Sequence, residues 1–168
     1  MTRLSDTFSR LKDDNQAGFI AYVMAGDPDA ETTLRVMHGL AEAGADVIEL
    51  GAPFTDPMAD GPVIQAAALR ALDAGMTLSG VLDIVTAFRQ TNTTTPVVIM
   101  GYANPIHAMG YAAFAHAAGA AGADGAIVVD LPPEEDRALR EGLRDNGVSL
   151  IRLAAPTTDD ARLPRVVA

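Results

Sequence analysis

Glu49, Asp56 and Asp60 fall within residues 48–65, IELGAPFTDPMADGPVIQ, where a short apolar run gives way to a loop punctuated by Gly and Pro. Pro53, Pro57 and Pro62 each fix a backbone torsion and remove a donor, and Gly51 and Gly61 permit conformations that other residues avoid, so the loop is expected to be rigid. Rigid acidic loops at strand ends commonly carry function. Glu49 closes an apolar strand, where desolvation favours the protonated carboxyl. Asp60 stands in a polar loop, where the ionised form is stable. Simpler roles exist for each: Glu49 as a salt-bridging acid at a strand end, Asp60 as a helix N-cap before Gly61 and Pro62, and Asp56 as a turn acid before Pro57.

What is missing narrows the chemistry. The chain has no cysteine, which removes disulfides, thiolate nucleophiles and Cys-zinc sites together. Its sole lysine, Lys12, belongs to a leading helix away from any strand end, so imine formation on a strand lysine is excluded. His38, His107 and His116 show no metal-binding spacing and are expected in two helices and a loop, so no metal site is expected. A net charge of -10 and a pI near 4.5 argue against nucleic acid or an anionic membrane as partner. The amino terminus does not read as a secretory leader and no apolar run reaches the length of a membrane span, so a soluble, cytoplasmic protein is expected.

The elements that must position these acids alternate. Strand-length apolar runs at 19–26, 46–51, 96–102, 125–131 and 148–154 are separated by helical patterns near 30–43, 63–91, 110–120 and 133–145, with a leading amphipathic helix near 3–13 and another beginning after Thr158. AGADVIEL at 43–50 returns as AGADGAIVVD at 121–130, which marks a repeated βα unit. Gly44, Gly122 and Gly147 stand where a helix needs a left-handed residue before the next strand. Alternation of this kind predicts parallel strands with helical crossovers. The longest strand-to-strand interval contains the acidic loop, on the face where βα-barrels carry their active sites. The fold expected is α/β, a single domain over 1–168 with the N-terminal helix and the first five strands of a TIM (βα)8 barrel. An open doubly wound sheet also fits the length, but no GxGxxG or GxxxxGK[ST] follows any strand.

The run from Ile48 to Pro62, IELGAPFTDPMADGP, resembles the motif of the tryptophan synthase alpha chain family, and the resemblance extends through AGDP at 25–28, GYANP at 101–105 and VVDLPPEE at 128–135, over essentially all of the chain. It implies retro-aldol cleavage of indole-3-glycerol phosphate to indole and glyceraldehyde 3-phosphate by a lyase of tryptophan biosynthesis. No cofactor is then expected in this chain, and pyridoxal phosphate belongs to a partner beta chain in an alpha2-beta2 assembly. Glu49 and Asp60 match the family's catalytic pair, Glu49 as acid and base and Asp60 as stabiliser of a positive indole nitrogen. Alternation aligned to the family pattern puts Tyr22, Met100, Tyr102, Ile127, Val129 and Leu153 around the indole, where Tyr22 departs from the family's usual Phe. Pro53, Asp56 and Asn104 are expected at the beta-chain contact, and Asp130 and Asn104 as braces of the catalytic loop. The loops after strands 6, 7 and 8, which close over the site and anchor the phosphate, lie outside the five strands, so negligible turnover and two aggregation-prone sheet edges are expected of these 168 residues alone. Two other readings share the fold: a barrel piece that only docks on a partner enzyme, and a phosphate-sugar isomerase or epimerase.

Overall fold

The computed structural model describes residues 2–167. Its elements are α1 (Arg3–Asp13), β1 (Ile20–Met24), α2 (Ala30–Glu42), β2 (Val47–Gly51), α3 (Pro62–Asp73), α4 (Leu78–Arg89), β3 (Val97–Gly101), α5 (Ala103–Met109), α6 (Tyr111–Ala121), β4 (Gly125–Val128), α7 (Arg137–Asp145), β5 (Ser149–Ile151) and α8 (Leu163–Val166). All neighbouring strands pair in parallel and the order is β1-β2-β3-β4-β5. That order decides between the two architectures. A doubly wound sheet reverses at a switch point, whereas here each strand joins on the same side as the last, so right-handed crossovers place the crossover helices on one face. The sheet is the wall of a βα-barrel.

The two faces of the wall pack differently. Ile48, Leu50, Val97, Ile99, Ala126 and Val128 face the helices and meet Met37 of α2, Phe88 of α4, Phe114 of α6 and Leu143 of α7 in the main core. The opposite, inner face carries Val47, Val98 and Ile127, with Met100, Val129 and Ile151 beside them. Leu4 of α1 joins this second cluster, so α1 covers the inner face at the end where the strands begin.

The repeated GAD sequence explains how strands and α1 are locked together. Asp46 and Asp124 each precede a strand. The Asp46 amide donates to the Phe19 carbonyl (2.9 Å) while its carboxylate accepts from the Phe19 amide (2.9 Å). Asp124 repeats the pattern on Val97, at 2.9 and 2.8 Å. The same carboxylates hold α1, through Arg10 to Asp46 at 2.5 Å and Arg3 to Asp124 at 2.7 Å. Asp124 is buried and also takes Arg89, itself only 9% exposed, at 2.7 Å.

Several boundaries differ from those expected. The helix read over 63–91 is two helices meeting at 93°, because Gly75 adopts φ +84° and Thr77 caps α4 by accepting from the Gly80 amide. Gly44, Gly122 and Gly147 show the same positive φ, as anticipated. Helix α5 was not anticipated; its Pro105 sits in the first turn, where no amide donor is needed, and it places His107 on a helix rather than a loop. The last two strands end at Val128 and Ile151, short of the expected 131 and 154, and α7 starts at Arg137 after a turn. Among the described residues no single helix is long and apolar enough to cross a membrane.

Removing the Asp124 carboxylate strands a buried guanidinium, so Asp124→Ala is expected to cost about 3–5 kcal/mol of unfolding free energy. Asp46→Ala, whose arginine is half-exposed, is expected to cost only about 1 kcal/mol. Urea denaturation of the two variants checks the order, and equal losses would refute the clamp hierarchy.

Candidate active site

Strand register brings the central residues together. Tyr22 pairs with Glu49, Glu49 with Val98, and Met100 with Ile127. Laterally paired residues of a sheet project to the same face, so Tyr22, Glu49, Met100 and Ile127 share the inner face. Glu49 lies one turn of the pleat above Val47, near the ends of the strands, and burial raises its carboxyl above the usual glutamate range. It has no hydrogen-bond partner among the described residues. Gly51, two residues further on the same face, leaves space that the Tyr22 ring and hydroxyl occupy; a Cβ there would overlap the phenol.

The loop between β2 and α3 is tied down at several points. Ala52 donates to the Met100 carbonyl at 2.7 Å, the Asp60 amide to Pro57 at 3.1 Å, and the Gln65 side chain to the Asp60 carbonyl at 2.8 Å. The Tyr102 hydroxyl accepts from the Ala59 amide at 3.1 Å, and its ring stacks on Phe54 with centroids 5.4 Å apart. Asp60 is not the helix cap. Gly61 occupies the N-cap position with no side-chain bond and Pro62 follows at the first turn, and the Asp60 carboxylate instead takes the Tyr102 hydroxyl. Burial raises the Tyr102 phenol, and the nearby Asp60 carboxylate raises it further. Tyr22 is raised still more, by burial first and then by the charges of Asp60 and Glu49. Glu49 lies toward the end of β2 and Tyr102, just past the end of β3, holds Ala59, so Glu49 and Asp60 lie at the same end of the strands.

The other expected residues divide. Met100, Ile127 and Val129 lie in the inner-face cluster with Ile151. Leu153 is 53% exposed beyond β5, where it and Val129 line a cleft of about 510 Å³ with Asp130, Arg152 and Arg162. Neither Glu49 nor Asp60 lines that cleft, so its size does not mark the reacting centre. Asp130 does brace a strand end, but not the acidic loop as expected: it accepts from the Ala103 amide at 2.7 Å and so holds the start of α5. Asn104 is exposed on α5, Asp56 is exposed and takes the Thr55 hydroxyl, and Pro53 is half-buried. No group of three or more metal-binding side chains occurs among the described residues.

Two features escaped sequence reasoning. Tyr102 was assigned to the wall, yet its hydroxyl is a fastener of the acidic loop. Arg70 of α3 makes a two-point contact with Asp27 after β1, at 2.8 and 2.7 Å, and holds that carboxyl below the usual range. The AGDP motif singled out the segment, but nothing in the spacing linked it to α3.

The family model of the tryptophan synthase alpha chain matches residues 8–168. This chain belongs to the tryptophan synthase alpha chain family. The tryptophan synthase alpha chain of Caulobacter vibrioides is 59% identical over 98% of this chain, and that of Caulobacter sp. strain K31 is 58% identical over the same share. This chain spans 60% of the length of these relatives. The crystal structure of tryptophan synthase subunit alpha from Legionella pneumophila superposes with a TM-score of 0.95 at 47% identity, covering 99% of this chain and 63% of that one. A tryptophan synthase complex from Pyrococcus furiosus gives 0.84 at 44% identity, over 89% of this chain and 61% of that one. The sequential parallel sheet is thus the first part of the alpha-chain TIM barrel.

A glutamate whose carboxyl is raised by burial destabilises the folded state above that raised value and contributes nothing below the unfolded value, where both states are protonated. Glu49→Gln is therefore expected to raise the melting temperature at pH 7, with the gain vanishing below about pH 4. An equal gain at both pH values would contradict the desolvation of Glu49.

Proposed function

We propose that this chain carries the acid–base half of a lyase that cleaves indole-3-glycerol phosphate into indole and glyceraldehyde 3-phosphate in the cytoplasm. The observation that supports it is the convergence of Glu49 and Asp60, on one rim of a barrel wall, within the motif of the family. Breaking the carbon-carbon bond requires a proton delivered to indole C3, a proton removed from the glycerol hydroxyl, and charge stabilisation at the indole nitrogen. Glu49 suits the first two tasks because its burial favours the protonated form more than in an exposed glutamate. Asp60 suits the third, because the ties on Ala59 and on its own backbone, with the Tyr102 hydroxyl on its carboxylate, fix its position. Tyr22, Met100, Tyr102, Ile127 and Val129 offer the apolar and aromatic wall for the heterocycle, with Leu153 at its outer margin.

The partner is the beta chain, in which pyridoxal phosphate resides. A relative from Pyrococcus furiosus is described by the mutual activation of its a2b2 complex, and that arrangement extends to this chain by family membership. Pro53 and Asp56 occupy the same braced loop as Asp60, Met58 beside them is 75% exposed, and Asn104 is exposed on α5, which fits a contact surface adjoining the site.

Indole release, measured on this sequence carried at its relatives' full length, is expected to fall about 10²- to 10⁴-fold in Glu49→Gln and in Asp60→Asn. Retained turnover in either variant removes that residue from the chemistry. Asp56→Ala is expected to keep the basal rate and lose stimulation by a beta chain; unchanged stimulation would remove Asp56 from the contact.

A further inference from the structure

Two side chains at the rim carry polar atoms with no hydrogen bond among the described residues, Glu49 and Tyr22, whereas Asp60 takes the Tyr102 hydroxyl. The Glu49 carboxylate, when ionised, can only accept. Tyr22 is the donor of the pair. Its ring crosses the end of β2 over Gly51, so closely that a Cβ at position 51 would overlap the hydroxyl, and its register partner on that strand is Glu49 itself.

We propose that Tyr22 is a positioning residue of this site, whose hydroxyl donates a hydrogen bond through one water to the Glu49 carboxylate and holds Glu49 facing Asp60. Tyr102 does not take this part, because its hydroxyl accepts from the Ala59 amide and its proton is used on the Asp60 carboxylate. The groups facing the Tyr22 phenol are Glu49 from β2, Asp60 from the following loop and Tyr102 from the end of β3. Asp27 and Arg70, which line a groove with Tyr22, are paired with each other. Burial and the two negative charges keep the phenol protonated, so it remains a donor throughout the range in which Glu49 titrates.

The role deepens the reading given under Proposed function and is tested without turnover, so an inactive chain does not bear on it. The Glu49 carboxyl is titrated by 13C NMR in the intact chain and in Tyr22→Phe, which removes one oxygen and keeps the ring. Loss of the donor is expected to raise the Glu49 midpoint by about half a pH unit or more, while Tyr102→Phe leaves it nearly in place. An unmoved midpoint in Tyr22→Phe overturns the proposal, as does an equal rise in Tyr102→Phe. Should Tyr22→Phe fail to fold, 3-fluorotyrosine incorporated in the Tyr102→Phe background supplies a stronger donor at position 22. The Glu49 midpoint is then expected to fall, and a constant or rising midpoint overturns the proposal.

Discussion

A carboxylate that grips the backbone of the preceding strand sets the geometry of this fold. Asp46 and Asp124 each exchange two hydrogen bonds with one residue at the start of the neighbouring strand, one through the amide and one through the side chain. Such a contact fixes register, and register decides which face every side chain takes, because a slip of one residue turns the strand's alternation inside out. Glu49 lies three residues after Asp46. With β1 and β2 locked as observed, it faces inward opposite Tyr22; one step out of register it would be buried among the helices without a partner. The clamp on the beginning of the strand thus determines the chemistry available at its end.

From that wall a chain of ties runs along the rim. Asp130 after β4 holds the start of α5, the adjoining Tyr102 reaches back to Ala59, and Ala59 precedes Asp60. Arg70 fastens α3 to the loop after β1 on the other side. The two carboxylates therefore have different kinds of support. Glu49 stands on a strand, which is rigid by its ladder bonds, while Asp60 stands on a loop made rigid by contacts from β3 and α3. Placing reactive groups on braced backbone limits the reorganisation needed when a ligand arrives.

Much of this was legible in the residues. The apolar runs located the strands because a wall buried on both faces needs continuous hydrophobic stretches, and the glycines after helices marked where the chain turns. The break at 74–77 was missed because the apolar period continues through it; Gly75 was the visible signal, of the same kind as Gly44 and Gly122. Asp46 and Asp124 were visible as a repeat, but their function depends on amides 27 residues earlier in each case, a separation no local pattern encodes. For the candidate site, the motif singled out Glu49 and Asp60 as expectations, whereas the use of Tyr102 as a fastener and the Asp27–Arg70 contact depend on loops meeting in space. The wall extent was overestimated at Leu153, since β5 ends at Ile151 and alternation loses its meaning beyond the ladder.

The inner face also explains why its carboxyl sits toward one end. Two glycines interrupt its side-chain layer, at opposite ends. At the start of β4, Gly125 has no side chain, and Leu4 of α1 comes within 3.3 Å of where a Cβ would be, with Ile151 and Val98 alongside. An apolar plug from a helix closes that end. At the end of β2, Gly51 makes similar room, but a phenol enters it from the adjacent strand, bringing a hydroxyl rather than a methyl group. Along β2 the inward positions run Val47, Glu49, Gly51, from an apolar side chain to a carboxyl to a gap that the Tyr22 phenol fills. Glu49 occupies the transition: close enough to the sealed layer for its carboxyl to be raised by burial, and close enough to the open end to meet a ligand. Moved one inward position down it would be an uncompensated buried charge; one position up its Cβ would overlap the Tyr22 hydroxyl.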